Sequence, residues 1–101
     1  MEAIGLLVIL EARAGKETDA EAFLKSAQPF ARDEQGTLKW YAIKLGPGRF
    51  GIFDTFANEA GRNAHLSGDI AKALGTRANE LFAVSPQVQK VEILASTPFK
   101  G

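Results

Sequence analysis

His65, the only histidine of the chain, lies just downstream of Asp54, an acid set in the otherwise apolar alternation Phe50, Ile52, Asp54, Phe56. The two-residue period of a strand puts those four on one face and Phe53 and Thr55 on the other. An imidazole has the unperturbed pKa nearest neutrality and is the best base available here. A nearby carboxylate can orient it or take the proton itself. Tyr41 can donate a hydrogen bond to a substrate oxygen, and Trp40, Phe53, Phe56, Leu66 and Phe82 are candidates for the wall of a binding pocket. Aromatics at these spacings also build ordinary cores, and Asp54 and His65 can each serve as a strand-end or helix-packing residue instead. Arg49 and Arg62 read as solvated surface charges.

Composition narrows the chemistry. At 101 residues the chain is expected to be one domain, 1–101, with no room for an added cofactor-binding domain. Twelve basic and twelve acidic residues cancel without forming blocks, which argues against nucleic acid or an anionic membrane as partner. No cysteine means no thiolate nucleophile and no thiolate metal site, and a lone histidine cannot form a histidine cluster, so no metal is expected. The apolar run Ala3 to Leu10 is too short to span a bilayer and follows Glu2 where a secretory leader carries a basic region, so a soluble, cytoplasmic protein is expected.

The elements that must position these residues follow from periodicity. Ile4 to Ala12 is a near-continuous apolar run of strand length. Thr18 or Asp19 can cap a helix whose buried face carries Ala20, Phe23, Leu24, Ala27, Phe30 and Ala31, ending at Gly36, with a kink or break near Lys25 to Gln28 because Pro29 lacks a backbone donor. Strands Thr37 to Leu45 and Arg49 to Ala57 flank the turn Gly46-Pro47-Gly48. Pro47-Gly48 suits the central positions of a type II turn, and that even loop predicts Leu45 opposite Phe50 and Tyr41 opposite Asp54. Asn58 can cap a short helix over Glu59 to Leu66. After Ser67-Gly68-Asp69 another helix buries Ile70, Leu74, Ala78, Leu81 and Phe82 and ends at Ser85-Pro86, and a last strand runs from Val88 to Ala95.

This order, βαββαβ, is the ferredoxin-like α+β plan, with the helices on one face of an antiparallel sheet. The first strand is apolar on both sides, with Ile4, Leu6, Val8 and Leu10 on one and Leu7 and Ile9 on the other. A bare sheet face of that kind exceeds what a soluble monomer ordinarily exposes, so a homodimer packed face to face is expected.

Glu34-Gln35-Gly36-Thr37-Leu38-Lys39-Trp40-Tyr41, then Phe50-Gly51-Ile52-Phe53-Asp54-Thr55-Phe56, then Asn58-Glu59-Ala60-Gly61-Arg62-Asn63-Ala64-His65-Leu66-Ser67-Gly68 carry a resemblance to the antibiotic biosynthesis monooxygenase superfamily. The resemblance covers essentially the whole chain and implies a dimeric α/β barrel. Members of that superfamily include cofactor-free monooxygenases of quinols and polyketide phenols, haem-degrading enzymes and many proteins with no assigned reaction, and the resemblance implies the first. The haem-degrading branch typically carries an asparagine on the first strand and a tryptophan at the end of the third. Here Ile4 to Ala12 has no asparagine, and Phe56 stands at the second place.

An electron-rich phenol or quinol, once deprotonated, can itself hand an electron to dioxygen, so the protein need supply only an apolar pocket, a proton acceptor and hydrogen bonds. The expected reading is therefore a cofactor-independent monooxygenase of a small aromatic substrate, using dioxygen and no cofactor. His65 would be base, Asp54 the orienting acid and Tyr41 the donor. A non-catalytic dimeric barrel holding an apolar ligand is the competing reading. The two part on whether His65 converges with Asp54 or Tyr41 on one cavity.

Overall fold

A computed structural model describes residues 2–100. The apolar N-terminal run becomes β1 (Ile4–Glu11), which lies between β3 (Arg49–Phe56) and β4 (Gln87–Glu92), with β2 (Thr37–Gly46) outside β3. Every pairing is antiparallel, in the order β2-β3-β1-β4. This is the ferredoxin-like arrangement expected from the element order. Leu6, Val8 and Leu10 of β1 and Phe50, Ile52 and Phe56 of β3 are buried under the helices. Leu7, Ile9 and Phe53, turned the other way, are only half-buried, and Tyr41 and Ile43 are exposed beside them.

The first helical segment breaks where Pro29 requires it. α1 (Glu17–Ser26) ends at Ala27, and α2 (Gln28–Asp33) restarts with the proline in its first turn, where a missing N–H costs nothing. Neither Thr18 nor Asp19 caps α1. The helix starts two residues before the one a Thr18 cap would give, from Lys16 without a side-chain cap, and Glu17 and Asp19 instead meet the positive end of its dipole. Asn58 does cap α3 (Glu59–Leu66), accepting the Gly61 N–H at 3.0 Å. α4 (Asp69–Leu81) ends before Ser85-Pro86, because Phe82 turns extended and bridges to Ala12. β4 stops at Glu92 rather than Ala95, since its last partner is Ile4, the first residue of β1. Among the described residues no helix is long and apolar enough to cross a membrane.

The hairpin register differs from the expected one. Gly46 pairs with Arg49 around Pro47-Gly48, and Gly48 has φ 70°, as a type II turn demands. The next pair, however, is Lys44 with Phe50, so Leu45 is an extra residue. Beyond this bulge Trp40, not Tyr41, lies across from Asp54, and Tyr41 faces Phe53. A type II turn splays strands that a hairpin must twist together, and a bulge adds the missing twist. It also turns the indole toward the helices, where it packs against the core.

Candidate active site

His65 sits in the last turn of α3, a helix held in place by its own arginine. Arg62 is 6% exposed, contrary to the solvated charge expected for it. Its guanidinium donates to the Gly5 carbonyl at 3.1 Å and pairs with Glu59 at 3.0 Å. In a helix of two turns the apolar pattern is too short to show which face is covered, and here the arginine face is. On the opposite flank the loop after α2 comes so close to α3 that a Cβ on Gly36 would stand 2.9 Å from the Gly61 Cα. Two glycines thus allow the backbones to touch, and Glu34, two residues before Gly36, reaches the imidazole.

The ring is gripped from both sides. His65 Nδ1 lies 2.6 Å from Glu34 Oε1, which also accepts from the Thr37 hydroxyl at 2.7 Å. His65 Nε2 lies 3.0 Å from Asp54 Oδ2. Asp54 is fully buried, and this contact to the imidazole is both a charge pair and a hydrogen bond, leaving Oδ1 without a partner among the described residues. The Phe56 ring packs on the imidazole, centroids 5.5 Å apart. Burial alone would pull the His65 pKa down. The carboxylates of Asp54 and Glu34 outweigh burial and hold it up, at about 8.

Two hollows meet at this ring. On the inner side a cavity of about 230 Å³ lies between sheet and α4, walled by Leu6, Ile52, Leu66, Ile70 and Val88, with Asp54 and His65 among its lining. On the outer side an open cleft of about 580 Å³ is lined by Asp33, Glu34, Thr37, His65 and Asp69. A buried carboxylate paired with a charged imidazole at the wall of an apolar hollow can accept a proton from a hydroxyl brought against it.

Of the residues marked by sequence, His65, Asp54 and Leu66 meet at the inner cavity. Trp40 stands across the strand from Asp54 with its indole N–H buried and unpartnered. Phe82 is packed into the main core with Phe23 and Leu81. Tyr41 and Phe53 lie on the opposite sheet face, Tyr41 half-exposed, away from the cavity of their own chain. Glu34 is the partner that residue patterning did not supply as a site residue. It lies in a loop, where no periodicity exists to assign it a face, and only the Glu-x-Gly step marks the place.

No protein-family model matches the chain, and no curated protein does. Among solved structures, one of a protein of unknown function from Nitrosomonas europaea is 48% identical, with a TM-score of 0.96, over 100% of this chain and 98% of that one. A "putative antibiotic biosynthesis monooxygenase" from Caulobacter crescentus superposes with a TM-score of 0.79 at 18% identity, covering 93% of this chain and 92% of that one. Another of the same description from Nitrosomonas europaea gives 0.83 at 12% identity, over 96% and 95%. The last two share the fold. Identity of 48% over its whole length places the chain in one family with the Nitrosomonas europaea protein of unknown function.

Proposed function

We propose that the protein is a cofactor-independent monooxygenase of a small phenol or quinol, acting as a homodimer. The observation that carries this reading is the Asp54 carboxylate, fully buried and paired through one oxygen with His65 at the wall of an apolar hollow. A volume of about 230 Å³ suits a single-ring substrate rather than a fused polycycle. The fold shared with proteins described as monooxygenases supports the reaction class.

In this reading the proton acceptor is the pair rather than His65 alone. Nε2 is turned to Asp54 Oδ2, and Oδ1 is covered in the resting protein, so a substrate hydroxyl reaches it by displacing side chains that line the hollow. The hydroxyl proton moves to Oδ1, and the imidazolium beside it steadies the phenolate formed. The phenolate gives one electron to dioxygen, and the resulting radical pair joins through a new carbon–oxygen bond. The peroxide anion so formed takes the proton back from Asp54, and the O–O bond of the resulting hydroperoxide breaks. One oxygen atom stays as a carbonyl, and the other leaves as water with the ring hydrogen and the hydroxyl proton. Dioxygen is the oxidant and the ring is the reductant, so no further redox group is required.

Tyr41 belongs to a different part of this proposal. With Ile43, Leu7, Ile9 and Phe53 it forms the uncovered sheet face that would meet a second copy. Oxygen uptake, metal-free, with a panel of single-ring quinols tests the reaction. Asp54→Asn should reduce turnover about a hundredfold or more with the KM little changed. No uptake above autoxidation for any compound would leave the protein as a binding barrel.

A further inference from the structure

Three groups form a continuous line from the apolar hollow under α4 to the polar cleft: Asp54 on β3, His65 on α3 and Glu34 in the loop after α2. His65 is the only one that lines both hollows. We propose that Glu34 is a positioning residue acting through His65: it fixes the ring with Nε2 against Asp54 and couples the charge inside the cavity to the open cleft.

The geometry supports this at each step. An imidazole can rotate about its bond to Cβ, and a short bond from Nδ1 to Glu34 at 2.6 Å removes that freedom. Glu34 is itself fixed, since the Thr37 hydroxyl donates to the same oxygen. Gly68 leaves space beside the other oxygen, where a Cβ would come within 3.0 Å. The charged groups around the ring are few. Asp54 faces it from β3 and Glu34 from the loop, while Asp33 and Asp69 line the cleft. On its own helix the one cation, Arg62, is occupied by Glu59 and backbone carbonyls. Two carboxylates therefore hold one imidazolium, and neutralising the outer one alters the field at the inner one.

The idea makes Glu34 relevant to catalysis only if the proposed reaction takes place in the cavity, but its test needs no substrate. The chain has one histidine, so ¹⁵N-histidine labelling gives a single imidazole in the spectrum. In the wild type at pH 7 both ring nitrogens should carry protons, with a titration midpoint at about 8. Glu34→Gln keeps the shape and removes the charge, and should lower the midpoint by about one pH unit or more. Glu34→Asp should restore part of the shift. A purely structural Glu34 would lower the melting temperature and leave the titration in place. A midpoint in Glu34→Gln within about 0.2 of wild type would overturn the proposal. If that variant does not fold, the wild type alone decides, because a His65 Nδ1 bearing no proton at pH 7 would overturn it equally. Missing oxygen uptake would remove the reaction without altering these spectra, and a ring indifferent to Glu34 would remove the coupling whatever the uptake.

Discussion

Raising the pH from 6 to 9 should destabilise the protein through one side chain. His65 is the only histidine and there is no cysteine, so besides the α-amino group it alone changes charge in that window. Its folded-state pKa stands at about 8 against an ordinary 6.5, and it is only 7% exposed, so solvent screens the pair contacts little. A rise of about one and a half units corresponds to about 2 kcal/mol. Because the folded-state value lies above the unfolded one, this stabilisation is complete below about pH 6.5 and is lost as the pH climbs through about 8. For a chain of this length that amounts to roughly 10 °C in melting temperature. Urea unfolding at pH 6 and pH 9, at one protein concentration, measures it, with His65→Gln subtracting the α-amino contribution. Asp54→Asn removes one of the two carboxylates and should shrink the difference to less than half. Wild-type stability that is flat across the window, or that rises with pH, would refute the doubly held imidazolium.

Arg62→Met should cost about 2 kcal/mol in urea unfolding, because the carbonyls of Gly5 and Val91 lose their donor while the apolar stem is retained. Gly36→Ala should destabilise by about 1–3 kcal/mol and also lower the His65 midpoint, since the new methyl must push α3 from the loop that holds Glu34; an unchanged midpoint would separate the two effects. Ile43→Asp, on the uncovered sheet face, should yield a folded monomer in sedimentation at micromolar concentration, and a wild type that is already monomeric there would sink the proposed dimer.

The element order, the break at Pro29 and the Asn58 cap could be read from sequence because each depends on local chemistry: an apolar period, a missing N–H, a side chain that reaches its own helix. What could not be read depends on events between distant segments. The turn Pro47-Gly48 is as its residues require, yet the bulge at Leu45 reverses which of Trp40 and Tyr41 faces Asp54, and no residue type announces it. Arg62 looks like a surface charge until a strand end supplies carbonyls for it. The inner half of the candidate site, Asp54 with His65, was accessible through strand alternation and proximity in the chain. The outer half was not, because Glu34 meets His65 only through the Gly36–Gly61 contact.

The bulge at Leu45 also gives the molecule an optical property. The chain has a single tryptophan, and the shifted register seats its partly buried indole across from Asp54, with the N–H itself buried and unpaired. All indole fluorescence therefore originates beside the cavity. A change in the protonation of His65, or an aromatic ligand entering next to it, should change the emission of native protein, so occupancy and charge can be followed without a label.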